Sequence, residues 1–278
     1  MIDGETKVLG LYGFPVSHSL SPIIFNKTFE KMNAHRTYLP FAVKPEHLNE
    51  AVTAARALGF DGFNVTMPHK TRIVELLDDI ESTARETGSV NAVSRNHRGL
   101  VGHNTDGEGA ARAIKAHGFD PAGQKILVLG AGGAARAVVK TLSRESDITV
   151  LSRDPRQAKN IADTIPGHRR LSSGPLTKPV FEEFVATANL LVDATPVQTA
   201  TLIRTLNSTD SKLPAGLWVF DLAYDQALDK LPDGIRRVSA LEMLVQQAAL
   251  SYEIWMREPA PFQLMRSILV EHVGRDWK

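Results

Sequence analysis

Short apolar runs alternate along this chain with stretches in which apolar residues return at helical spacing, so strands and amphipathic helices are laid down in turn. The first half reads as strand Val8–Tyr12, a helix from Pro22 to about Met32, strand Thr37–Ala42, helix Glu46–Leu58 and strand Gly62–Thr66. A helix is predicted to open at Pro68, because proline suits a first helical position. Next come a helix near Glu81–Thr87, strand-like runs around Ala92–Arg95 and Leu100–Gly102, and a helix from about Gly107 to His117. The break Gly118-Phe119-Asp120-Pro121-Ala122-Gly123 ends this half. Beyond it stand strand Lys125–Leu129, a glycine turn, a helix, strand Ile148–Leu151, another helix, and strands at Leu190–Ala194 and Trp218–Leu222. Ser239-Ala240-Leu241-Glu242 has the spacing of a capping box. Leu241, Leu244, Val245, Ala248, Tyr252 and Trp255 then form one apolar stripe, and a last helix runs from about Pro261 to Val273. The pattern predicts an α/β fold on mostly parallel sheet, in two domains joined near residue 105.

Composition narrows the function without naming it. A net charge of +1, with no block of lysine and arginine, gives no electrostatic case for nucleic acid or an anionic membrane. No apolar run approaches the roughly 20 residues that span a bilayer. The absence of cysteine excludes disulfides and thiolate metal sites and fits a cytoplasmic protein. The nine histidines are scattered without ligand spacing, so no metal site is expected. No Gly-x-Ser-x-Gly elbow supports a serine nucleophile.

The strongest local signal is Gly130-Ala131-Gly132-Gly133-Ala134-Ala135, which follows a strand and opens a helix. Such a turn lets a pyrophosphate approach free amides at the helix N-terminus, and Ala135 at the third position still allows close helix–strand packing. About twenty residues on, Ser152-Arg153-Asp154 ends the second strand. Arg153 suits a 2′-phosphate and favours NADP, whereas Asp154 would accept from the unphosphorylated ribose of NAD.

Polar clusters gather at the ends of the early strands. Ser19 and Ser21 stand two apart before Pro22, a carboxylate receptor over a helix N-terminus or simply a helix cap. Lys70 falls in the first turn of the helix predicted from Pro68, facing the positive end of its dipole, an awkward place for a cation without a partner. Asp106, at the expected domain junction, is the carboxylate to pair with it. Asn64, Thr66 and Asn91 add neutral hydrogen-bonding groups suited to a small polyhydroxylated ligand.

Ser-His-Ser-Leu-Ser-Pro at 17–22, Asn-Val-Thr-Met-Pro-His-Lys at 64–70, Gly-Ser-Val-Asn at 88–91, Asn-Thr-Asp-Gly at 104–107, the glycine turn with Arg136, Ala-Thr-Pro at 194–196 and Met-Leu-Val-Gln-Gln-Ala-Ala at 243–249 resemble shikimate dehydrogenases from end to end. The resemblance implies reversible reduction of 3-dehydroshikimate by NADPH. Its alternatives are an NAD-dependent quinate dehydrogenase, a paralogue acting on another small hydroxy acid, and a non-catalytic ligand sensor. It implies Lys70 and Asp106 as the catalytic pair and Ser19 and Ser21 on the ligand carboxylate. Asn64, Thr66, Asn91, Asp106 and Gln247 would hold the ring hydroxyls, with Tyr224 near substrate and nicotinamide. The turn at 130–135, Ser152, Arg153, Thr195, Leu222 and Met243 would line the cofactor. A substrate domain of residues 1–104 and 239–278 and a Rossmann-type domain of 105–238 follow, with the C-terminal helices returning to the first domain. Monomer and homodimer both stay open. Phe14, Ala92, Asp193, Gln198-Thr199 and Leu241 depart from the family pattern, mostly at the nucleotide half or its edge.

Overall fold

The computed structural model describes residues 2–165, 167–197, 199–207, 213–223 and 234–274. The chain divides into two units, Met1–Gly109 with Leu244–Lys278, and Ala110–Met243. The first unit opens with β1 (Lys7–Gly13), α1 (Ser21–Lys31), β2 (Arg36–Ala42), α2 (Leu48–Ala57) and β3 (Gly62–Val65). It continues through β4 (Asp79–Ile80), α3 (Ser82–Thr87), β5 (Ala92–Asn96), β6 (Gly99–His103) and the start of α4 (Asp106–Ala116). These strands form one sheet in the order β2-β1-β3-β5-β6-β4. β2, β1 and β3 run parallel, while β5 lies antiparallel to β3 and β6.

The second unit holds β7 (Lys125–Leu129), α5 (Gly133–Leu142), β8 (Asp147–Ser152), α6 (Pro155–Thr164), β9 (Arg170–Pro175) and α7 (Lys178–Val185). β10 (Leu190–Asp193), α8 (Thr199–Leu206), β11 (Trp218–Asp221) and β12 (Arg236–Val238) complete it. Its sheet is parallel throughout, in the order β12-β11-β10-β7-β8-β9. This is the doubly wound arrangement, with the direction of winding reversing between β7 and β10. Successive residues of β7 face opposite layers: Ile126 and Val128 enter a core shared with α5 and α6, Leu127 and Leu129 one shared with Phe181 of α7 and Ile203 of α8.

The chain ends in α9 (Ala240–Met256) and α10 (Phe262–Val273). From Leu244 onward both belong to the first unit. There Phe25 of α1 stacks on Tyr38 at 4.6 Å and meets Trp255 of α9 at 5.1 Å, burying the aromatic part of the predicted stripe. On the other face of the same sheet, Val52 and Ala55 of α2 pack with Phe63 and Val93. Ser239, before α9, donates its amide to His117 Nε2 at 3.2 Å.

The helix predicted from Pro68 is absent. His69 N–H closes a turn onto the Thr66 carbonyl at 3.0 Å, and Pro68 sits inside that turn after a cis peptide bond. Only a short 3-10 helix, Arg72–Leu76, follows.

Candidate functional site

The first unit assembles its polar residues at the ends of β1, β3 and β5. Thr66 extends β3 by donating its amide to the Tyr12 carbonyl at 2.8 Å, and the turn after it delivers Lys70. Two bonds hold that turn. His69, 1% exposed, contacts the Val43 carbonyl through Nε2 at 2.7 Å, so that nitrogen carries the hydrogen. The Lys70 carbonyl accepts from the Val90 amide at 2.8 Å.

Lys70 Nζ donates to Asp106 Oδ2 at 2.7 Å. Asp106 is 4% exposed and opens α4, with its own amide bonded to Asn104 Oδ1 at 3.1 Å. The helix dipole therefore acts on the anion, where it stabilises, and not on the lysine as the sequence suggests. An ammonium beside a buried carboxylate can hold an oxygen on which charge develops and deliver a proton to it.

Asn91 stabilises the carboxylate from the other side. Its Nδ2 lies 2.8 Å from Asp106 Oδ1, 2.8 Å from Thr105 Oγ1 and 3.3 Å from Gln247 Oε1, three acceptors for two hydrogens. Its Oδ1 accepts from the Thr105 amide at 2.7 Å, which fixes the orientation of the carboxamide. Gln247 turns its Nε2 back to the Leu244 carbonyl at 3.0 Å. Lys70, Asp106, Asn91 and Gln247 thus form one connected group.

Asn64 is placed differently. It accepts from the Tyr38 hydroxyl at 2.9 Å and gives its two amide hydrogens to the Asn91 carbonyl and Ser251 Oγ, both at 3.0 Å. The residue is an internal brace under the site. Ser19 and Ser21 stand at the start of α1, where Ser19 Oγ accepts the Ser21 amide at 3.3 Å, so Ser19 and not Ser21 does the local capping. Tyr38 and Ser251 escape sequence reasoning, and Thr105 enters it only as part of the Asn-Thr-Asp-Gly motif, without a role. Of the first two, Ser251 carries a usable signal, one helical turn after Gln247.

In the second unit, Gly130 follows β7 with φ +99°, and a β-carbon there would lie 3.0 Å from the Ala194 carbonyl oxygen, so glycine is required. Gly132 precedes α5 in extended conformation with open space around it, and Ala135 is buried against the sheet. The N-terminal amides of α5 thus face an uncovered turn, as an anion needs. Ser152 Oγ donates to the Asp154 carbonyl at 2.6 Å. Asp154 caps α6 through the Arg156 amide at 3.1 Å and takes two bonds from the Arg156 guanidinium, each 3.0 Å. Those bonds hold its carboxyl below the usual carboxylate range. Arg153 is exposed, and its guanidinium has no partner among the described residues. Thr195 donates its amide to Asp193 Oδ1 at 2.9 Å. Leu222 and Met243 are part of the apolar core that includes Val128. Tyr224 and Gln198 lie outside the described residues.

Asp193 is fully buried, and burial pushes its carboxyl up to about 6, with Asp221 on the neighbouring strand acting in the same direction. Thr195 and Thr199 offset only part of that rise. No group of three or more potential metal ligands, and no helix long and apolar enough to cross a membrane, occurs among the described residues.

Comparison with known proteins gives the same pattern along the whole chain. Residues 11–93 match the shikimate dehydrogenase substrate binding domain, residues 111–237 the shikimate / quinate 5-dehydrogenase family, and residues 241–269 the shikimate 5′-dehydrogenase C-terminal domain. A shikimate dehydrogenase (NADP(+)) of Geobacter metallireducens is 41% identical over 96% of this chain and 98% of its own. A crystal structure of a shikimate dehydrogenase in complex with NADP+ superposes with TM-score 0.85 at 30% identity, covering 99% of this chain and 98% of that one. The Thermus thermophilus shikimate 5-dehydrogenase in complex with NADP(H) and shikimate superposes with TM-score 0.79 at 29% identity, covering 95% and 99%.

Proposed function

The chain belongs to the shikimate dehydrogenase family, and we propose that it catalyses the reversible, NADP(H)-dependent reduction of 3-dehydroshikimate to shikimate. One observation carries the chemical part of this reading: the 2.7 Å bond between Lys70 Nζ and a buried Asp106 carboxylate that Asn91 braces from behind. Bound NADPH would supply the hydride. Lys70 would stabilise the oxygen on which charge builds and give it the proton. Asp106 would keep the ammonium aimed, and in the reverse direction Lys70 would take the hydroxyl proton. Asn91, Gln247 and Thr66 would hold ring hydroxyls, while Ser19 and Ser21 at the start of α1 would receive the carboxylate. Tyr224 completes the expected ligand set.

The second unit fits the dinucleotide. The uncovered glycine turn at 130–135 suits the pyrophosphate, and the guanidinium of Arg153 suits a 2′-phosphate. Asp154 already accepts three bonds from Arg156, which leaves one acceptor site for a ribose hydroxyl, whereas the Arg153 guanidinium stands ready for a 2′-phosphate, and this supports NADP over NAD. Ser152, Thr195, Leu222 and Met243 would line the rest of this site. The absence of cysteine accords with work in a reducing cytoplasm.

The test is an assay of purified protein with shikimate or quinate, each with NADP+ or NAD+, followed by nicotinamide absorbance. Shikimate with NADP+ should give the highest kcat/KM. No turnover with any of the four pairs overturns the reading.

A further inference from the structure

Beneath the residues offered to substrate lies a closed ring of hydrogen bonds. Asn64 Nδ2 donates to Ser251 Oγ at 3.0 Å, and Ser251 donates to the Gln247 carbonyl at 3.0 Å. Thr105 Oγ1 donates to that same carbonyl at 3.2 Å and accepts from Asn91 Nδ2 at 2.8 Å. The Asn91 carbonyl closes the circuit by accepting the second Asn64 hydrogen at 3.0 Å. Each hydrogen has one direction that satisfies the whole ring, and the Asn91 carbonyl, which only accepts, turns Asn64 Nδ2 inward and leaves Oδ1 to the Tyr38 hydroxyl. Ser251 itself is 0% exposed.

We propose that Ser251 is a positioning residue for the hydroxyl-binding side of the site. It ties the turn of α9 that carries Gln247 to β3 and, through Asn64, to the backbone of Asn91. The identity of the ligand rests on the shikimate reading above; the coupling rests on the ring alone. Asn91 shares two hydrogens among Thr105, Asp106 and Gln247, so small displacements of the ring decide which acceptors are served. Removing the Ser251 hydroxyl leaves an Asn64 hydrogen buried without an acceptor. The Gln247 carbonyl is left to Thr105 alone, and Thr105 is the acceptor of Asn91 Nδ2, so the change reaches Asn91 through its side chain while the Val65 amide holds its carbonyl at 2.9 Å. The backbone ladder of α9 and the packing of Trp255 and Tyr252 remain, so the effect falls on the site more than on the helix.

Two measurements on Ser251→Ala test this. In protein without ligand, the side-chain amide resonances of Asn91 and Gln247 should shift in nitrogen-15 spectra, while the backbone amides of α10 stay in place. Unmoved side-chain resonances overturn the proposal whatever the activity. With shikimate as substrate, KM should rise about fivefold, the size of one net hydrogen bond, with kcat within about twofold. In a Gln247→Ala background the same substitution should raise KM by less, because only the Asn91 route remains, and an equal rise in both backgrounds overturns the proposal. Should Ser251→Ala not fold, Thr105→Val opens the ring at its other arm and is read in the same two ways. If the intact chain turns over no shikimate, the ligand assignment falls and the spectra alone decide the ring.

Discussion

Gly109 of α4 lies so close to Gln247 of α9 that a β-carbon at position 109 would fall 2.9 Å from the Gln247 Cβ and 3.1 Å from its backbone nitrogen. Both atoms belong to the helix that carries part of the site, so the contact cannot be relieved by a flexible side chain. Gly109→Ala should cost about 1–3 kcal/mol of stability through overpacking and should raise KM for shikimate. Thermal melting and steady-state kinetics check it; an unchanged KM would mean that Gln247 does not hold the ligand.

Lys70→Ala should lower kcat by about 10²- to 10⁴-fold, the usual contribution of a positioned acid–base group. KM should stay within about threefold, because Asn91, Gln247 and the serines still hold the ligand. Retention of the wild-type rate would remove Lys70 from the mechanism.

Arg153→Ala should weaken NADPH binding by about 10- to 100-fold, the loss of a charge-assisted contact, and leave NADH binding untouched. Cofactor fluorescence titrations separate the two. Equal losses for both cofactors would place the guanidinium away from the 2′-phosphate.

Asp193 makes stability depend on pH. Its carboxyl titrates at about 6 in the folded chain and at 3.8 in its ordinary state, so the folded chain holds the extra proton between these values. Stability therefore falls as pH rises through that window, and the cost of the buried charge is complete above it. The gap corresponds to about 3 kcal/mol. Asp193→Asn, which carries no charge to bury, should raise the melting temperature at about pH 8 and give no gain at about pH 4. A melting temperature unchanged at the higher pH would show that the charge is not buried.

Strands Val8–Tyr12 and Lys125–Leu129 are legible because their apolar residues face two packed layers and their helices carry clear stripes. β9 (Arg170–Pro175, sequence RLSSGP) and β12 escape because they form the two edges of their sheet, where a strand needs little apolar content. At Pro68 the local rule of proline at a helix start misleads: the tertiary bonds of His69 to Val43 and of Lys70 to Val90 impose a turn instead. Lys70 and Asp106 are recognisable as a pair from chemistry. The inward orientation of Asn64 is not, because it depends on Tyr38 and Ser251, which lie far from it in sequence.

The polar ring also sets an order of events during synthesis. Asn64 and Ser251 are 187 positions apart, and all of residues 110–243 lie between them. Synthesis therefore runs through that whole intervening unit before the ring's α9 members are added. Lys70 and Asp106 are made well before Gln247 and Ser251. The pair gains its full support only once residue 251 has been made, so a nascent chain carries its proton-transfer groups long before it can hold them in working order.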